Sequence, residues 1–401
     1  MPSERDMQPI SIFSAATRED PYPVYTMLRE EHPVYREPVF GTYVLTRFKD
    51  VYDVLKDHGT FSSAQGISPG LQSTSGAMMT TMITSDPPRH TRLRALVNRS
   101  FTPRVLQSLE PWLVSLVDDI LDGWESNRDI DVVETLTVPV PVAAIARLLG
   151  ISAEDTERFK EWSDAVVGAT DGGLPEESRK KIGDMMRYFA AEIAERRQSP
   201  RDDLVSTITF AEVDGERLTD LEMLSFCLLL LVAGNETTTN LLSNLLAVLS
   251  QRPDLWALLR REPERTQAAV DEALRHDSPV QMLFRSATTD VTLHGVQIQA
   301  GSRIAVAYGA ANRDPREFQD PDDFSLERSL KQHVAFGYGI HYCLGAPLAR
   351  LEARVVLDRL VARFDRITSG ETAGQRVPSS ILRGFQSLPL RFTREKESAQ
   401  V

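Results

Sequence analysis

Residues 336–345 read Phe336-Gly337-Tyr338-Gly339-Ile340-His341-Tyr342-Cys343-Leu344-Gly345, and the rest of the chain is best read outward from them. Glycines at 337, 339 and 345 permit tight turns and bring backbone close to something flat and bulky. Ala346-Pro347 then opens a predicted helix. Backbone N–H groups and the helix dipole there would favour a thiolate at Cys343. A thiolate in a glycine-rich loop is an axial ligand for heme iron, and it pushes electron density toward O–O cleavage. Two other readings stay open for the residue types alone. Cys343 could be a small buried apolar residue, or His341 and Cys343 could be zinc ligands, which would need further donors. The other histidines are scattered, His333 being nearest, and the density of glycines disfavours both readings.

Around this loop the pattern is mostly helical, with minor β structure. Tyr22, Tyr25 and Leu28 predict a helix over 21–31, and Gly41 separates a short strand pair at 34–38 and 41–47. Asp86-Pro87-Pro88 reads as a helix start, with Asp86 as side-chain cap and proline in the first turn. Helical spacing continues over 104–125, 134–149, 153–169 and 176–197. Thr219 and Glu222 form a capping box before a long apolar helix that runs to about Gln251, roughly 48 Å at 1.5 Å per residue. A helix this long and apolar must cross the core. Shorter helices follow at 253–261 and 263–275. Residues 287–309 alternate with a period of two around Gly295 and Gly301, as in small antiparallel sheets. A last helix covers about 346–365.

Lys and Arg number 45 against 57 Asp and Glu, a net charge of −12, which argues against a nucleic-acid binder. The longest apolar run, Phe226 to Gly234, is well short of the ~20 residues that span a bilayer. The polar start, Met1 to Asp6, carries no apolar signal region. Cys227 and Cys343 are the only cysteines, too few for a disulfide framework. These features predict a cytoplasmic protein with no membrane and no nucleic-acid partner.

The motif Phe336-x-x-Gly339-x-His341-x-Cys343-x-Gly345 resembles the heme-binding loop of the cytochrome P-450 heme-thiolate monooxygenases. Other stretches resemble the same family in its own order: His90-x-x-x-Arg94, Ala233-Gly234-Asn235-Glu236-Thr237-Thr238, Glu272-x-x-Arg275, Asn312-Arg313-Asp314-Pro315 and Pro321-x-x-Phe324-x-x-x-Arg328. The likeness runs from about Asp20 to Leu388-Pro389-Leu390. It implies one heme domain over 1–401, with an N-terminal extension at 1–19 and a polar tail at 394–401. The implied fold is an α-helical prism around a long central helix, as in soluble bacterial-type members.

The resemblance also implies the site. Cys343 would be the proximal ligand of heme b, bedded by Phe336 and Gly345. His90, Arg94, Arg285 and His341 would hold the propionates, the arginines through paired charge-assisted hydrogen bonds. Glu272, Arg275 and Arg328 would form a buried network bracing the loop. Gly234 would let the long helix distort into a groove for O2 and water, with Thr237 as donor and Glu236 as proton relay. Met78, Met79, Met82, Ile83, Leu229, Ala233, Met282, Leu283 and Phe385 would wall an adaptable apolar pocket.

The implied reaction inserts one oxygen atom from O2 into an apolar organic substrate. A monomer of this kind would draw electrons from a separate ferredoxin and an NAD(P)H-linked ferredoxin reductase. The ferredoxin would dock on Arg104, Lys331, Arg350 and Arg354. Two rivals, a peroxide-driven heme-thiolate enzyme and a non-catalytic heme sensor, have no use for the Glu236–Thr237 pair.

Overall fold

A computed structural model describes residues 10–69, 81–101, 103–152, 176–213, 215–328 and 333–394, with isolated positions between 155 and 165. Its helices, in chain order, are α1 (Ala15–Glu19), α2 (Tyr22–Glu31), α3 (Phe48–Lys56), α4 (Arg89–Val97), α5 (Pro103–Asp122), α6 (Pro139–Leu149), α7 (Glu176–Gln198), α8 (Leu204–Phe210), α9 (Asp220–Gln251), α10 (Pro253–Arg261), α11 (Thr266–His276), α12 (Tyr308–Ala311) and α13 (Ala346–Arg363). The expected helix at 153–169 falls largely outside the described residues.

The long helix forms as its sequence predicts. Thr219 Oγ1 accepts from the Glu222 N–H at 3.2 Å, and Glu222 Oε2 accepts from the Thr219 N–H at 3.0 Å, so two otherwise unmatched donors are satisfied reciprocally. By length and composition α9 could cross a membrane. Its second half is instead buried in the protein: Leu242, Leu245 and Leu249 are fully enclosed, and α9 packs against α6, α7, α11 and α13.

Alongside, α5 presents Leu113, Val117 and Leu121 at successive turns, all fully buried, toward α13. Four ion pairs run along this contact, Arg354–Glu110 at 2.6 Å, Arg359–Asp118 at 2.7 Å, Arg363–Asp122 at 2.6 Å and Arg363–Asp118 at 3.2 Å. Exposed pairs of this kind contribute little each; the apolar seam carries the packing.

A five-stranded sheet flanks the helical body in the order 34–36, 43–45, 303–306, 283–287, 61–62. Strand 303–306 runs parallel to 43–45 and antiparallel to 283–287, with Ile304 opposite Arg285. The 291–293 and 296–298 hairpin turns at His294-Gly295, both with positive φ. Strands at 129–131, 366–369 and 389–393 form a second sheet. Residues 10–19 are no loose extension: Ile12 is 1% exposed and sits in a cluster with Tyr25, Leu28 and Phe284.

One expected cap is corrected. Asp86 does not cap α4, whose N-terminal residue Pro88 has no side-chain cap. Its carboxylate instead accepts from the Ser62 hydroxyl and, at 3.0 Å, from the Ser63 N–H. The proline pair lets the helix begin without that bond, and the acid is free to fasten the 61–64 segment.

Candidate functional site

The loop around Cys343 is shaped by backbone that only glycine permits. Gly337 and Gly339 have φ of +69° and +71°. A Cβ on Gly339 would stand 2.6 Å from the Leu55 carbonyl oxygen, so α3 closes directly on the loop. The Cys343 N–H donates to the Phe336 carbonyl at 3.0 Å, which folds 336–343 into a closed turn. Cys343 is exposed, yet the surrounding protein pushes its thiol up by burial. The N–H groups of Gly345 and Ala346 and the charges of Arg94 and Arg350 pull the other way. Burial outweighs them, so these surroundings alone do not produce the thiolate expected from the sequence.

Near Cys343 stand cationic and donor groups with no acidic partner among the described residues. His90, 3% exposed, has both ring nitrogens without a partner, and Nε2 of His341 has none. The two rings lie 4.3 Å apart. Burial, then Arg285, His90 and Arg94, push His341 down to about 3. Burial and Arg94 push His90 down as well. No ion pair to Arg94 or Arg285 occurs among the described residues. Arg285 is 4% exposed; it donates to the Phe284 carbonyl at 2.8 Å, and its charge lies close enough to the Tyr308 hydroxyl to favour its ionised form, a neighbour the sequence did not suggest. Buried cations and unmatched nitrogens converging without a carboxylate are costly alone. They fit a ligand carrying two carboxylates beside a metal, and heme is such a ligand.

Across from the loop, the middle of α9 turns an open face. Ala233 is exposed, and Leu229, Glu236 and Thr237 are half-buried, at spacings that share one side of a helix. The expected distortion is not there: α9 is unbroken from 220 to 251. The Thr237 hydroxyl donates to the Ala233 carbonyl at 2.7 Å, the ordinary back-bond of a mid-helix threonine. A Cβ on Gly234 would lie 2.7 Å from Ile145 Cδ1, so this glycine serves the close approach of α6.

The bracing network forms as expected. Glu272 and Arg275 are fully buried and paired twice, at 2.8 and 2.9 Å. Arg275 also donates to the carbonyls of Asn312, Pro321 and Asp323, which occupies all five of its N–H groups. Arg328 reaches Glu272 at 3.2 Å. The Asn312 side-chain oxygen then accepts from the Val334 N–H at 2.8 Å, and so carries the brace to the segment entering the Cys343 loop.

The pocket residues divide. Met78 and Met79 lie outside the described residues. Met82, Ile83 and Leu283 are half-buried. Met282 is fully buried beside Phe284, because alternate residues of this extended segment face opposite sides. Phe385 is core, under the Arg376 guanidinium at 3.9 Å. Of the docking candidates, Lys331 lies outside the described residues and Arg104 is exposed. Arg350 and Arg354 are already paired with Asp271 and Glu110, a counter-charge that spacing along the chain could not reveal.

The cytochrome P450 family model matches residues 10–390. Cytochrome P450 109 of Bacillus spizizenii is 37% identical over 396 residues, 95% of this chain and 94% of the relative. The structure of CYP109Q5 from Chondromyces apiculatus superposes with a TM-score of 0.89 at 38% identity, over 96% of this chain and 98% of that one. That of CYP109E1 from Bacillus megaterium in complex with testosterone superposes at 0.84 with 36% identity, over 93% and 99%. A glycine-shaped cysteine loop, an anion-hungry cluster and likeness along nearly the whole chain lead to one conclusion: this chain belongs to the cytochrome P450 family, the monooxygenases that bind heme b with a cysteine-ligated iron.

Proposed function

We propose that the chain acts as one heme domain that hydroxylates or epoxidises a mostly apolar small molecule. Electrons come from a separate ferredoxin and its NAD(P)H-linked reductase. The observation that carries the site assignment is the anion-free cluster of His90, Arg94, Arg285 and His341 around the open thiol of Cys343. Heme bound there supplies the activation of O2 and the transfer of one oxygen atom. The chain supplies the rest. Cys343 ligates the iron, Phe336 and Gly345 shape its bed, and the four basic residues hold the propionates. Leu229, Ala233, Met82, Ile83 and Leu283 bound an apolar space, and among the described residues no cationic clamp for an acidic substrate stands beside them. The testosterone bound by CYP109E1 is in keeping with such a space. The protein works as a cytoplasmic monomer.

Thr237 and Glu236 handle protons on the open face of α9. The Thr237 proton rests on the Ala233 carbonyl, while its oxygen keeps lone pairs for a hydrogen bond from the open side. Glu236 is the acid that refills it. Thr237→Ala removes the hydroxyl and leaves the thiol, the basic cluster and the apolar face in place. The spin-state shift on substrate binding should barely change. NAD(P)H consumption should continue, product should fall by about 10²-fold, and hydrogen peroxide should rise to match. Glu236→Gln should slow oxygen consumption itself. Product still formed in proportion to NAD(P)H by Thr237→Ala would remove Thr237 from proton delivery. Turnover with hydrogen peroxide alone at the rate seen with reductase partners would favour the peroxide-driven reading.

The partner docks on the Cys343 side through exposed Arg104, with Arg350 and Arg354 contributing what Asp271 and Glu110 leave unscreened. Electron transfer from an acidic ferredoxin should slow as salt rises through the Debye range. A rate indifferent to ionic strength would rule this surface out.

A further inference from the structure

The proximal arginine nearest the loop is held from inside the protein. Arg350, in the first turns of α13, donates through Nε to Asp271 at 2.7 Å. Its guanidinium carbon stands 4.6 Å from the centre of the Phe336 ring. Nη1 reaches the Tyr342 hydroxyl at 3.3 Å, and Nη2 lies 3.4 Å from His333 Nε2. Burial would raise Asp271, but His333, with Nε2 3.8 Å away, and the hydrogen bond from Arg350 win and hold it down to about 2. One side chain therefore grips both ends of the turn that the Cys343–Phe336 backbone bond closes: the ring of residue 336 and the phenol of residue 342. Asp271 neighbours Glu272 on α11, so this helix supports the loop twice. It does so once through the Glu272–Arg275–Asn312 route to Val334 and once through Asp271 and Arg350.

We propose that Arg350, locked by Asp271 and stacked on Phe336, is a positioning residue for the Cys343 loop. It places a fixed positive charge on the thiolate side of the iron and thereby sets the heme reduction potential. The inference rests on Cys343 being the ligand. A guanidinium suits the task because its plane covers the ring while its fork bonds carboxylate and phenol together. A cation fixed beside the thiolate favours the added electron, so the ferrous state gains. Charge and stacking are separable by substitution.

The test is potentiometric titration of the purified holoprotein, without partner or substrate, followed by the ferric and ferrous heme absorbance. Arg350→Gln should lower the ferrous-to-ferric ratio several-fold at a fixed solution potential. Arg350→Lys, which keeps charge but loses the stack and fork, should fall between that variant and wild type. Asp271→Asn keeps the guanidinium and removes its counter-charge, so the ratio should rise several-fold. Opposite shifts in Arg350→Gln and Asp271→Asn support the charge; a merely structural brace would move heme content and melting temperature alone. Unchanged ratios in both variants overturn the proposal. If Arg350→Gln does not retain heme, Asp271→Asn decides alone, an unchanged ratio overturning and a raised one supporting it. An imidazole-type CO spectrum in wild type would signal instead that the Cys343 assignment had failed.

Discussion

Cys343→His should abolish the red-shifted Soret band expected of the reduced, CO-bound wild-type protein, and monooxygenase activity should fall to background. The reason is in the loop. The backbone N–H groups of Gly345 and Ala346 at the start of α13 and the charges of Arg94 and Arg350 favour a thiolate there, against the burial that raises the thiol. A neutral imidazole gives those donors no charge to hold and does not push electron density toward O–O cleavage. Heme can still bind, because His90, Arg94, Arg285 and His341 are untouched. The variant should therefore retain heme with an imidazole-type CO spectrum. A wild-type protein that already shows that spectrum would refute the ligand assignment.

Arg275→Leu should cost about 3–5 kcal/mol of stability. Glu272 is fully buried, and the variant leaves its carboxylate with Arg328 and the Ser325 N–H as remaining partners. The carbonyls of Asn312 and Pro321 also lose their Arg275 donors, and buried acceptors left unpaired are costly. The loss is passed on through Asn312 to Val334 and the Cys343 loop. Chemical denaturation should show the drop in stability, and heme should be released at milder conditions than in wild type. Arg275→Lys should recover little, since three N–H groups on one point charge cannot replace a five-donor fork. Unfolding within about 1 kcal/mol of wild type would mean the network is dispensable.

Local rules were legible because they act over a few residues. The Thr219–Glu222 box, the proline opening α13, and the helical spacing of 22–31 and 104–125 each act within a turn or two of helix, whereas the helix expected over 134–149 begins only at Pro139. The glycines around Cys343 were equally readable, since positive φ excludes other side chains almost regardless of context. The strands at 129–131 and 366–369 were not foreseen. They are three and four residues long, and each takes its hydrogen bonds from 389–393 rather than from a neighbour in sequence.

The sequence by itself determined an α-rich chain, a helix long enough to cross the core and a cysteine loop that demands glycine. These follow from periodicity, capping and backbone sterics, which need no distant partner. Only the tertiary structure decided which charges are used up. Asp86 serves Ser62 and Ser63 instead of its own helix, Arg350 and Arg354 are answered by acids on α11 and α5, and Gly234 makes room for Ile145. It alone also showed His90, Arg94, Arg285 and His341 gathered without an anion. An ion pair or an unmatched nitrogen is a relation between surfaces that only folding brings together, so no spacing along the chain can state it.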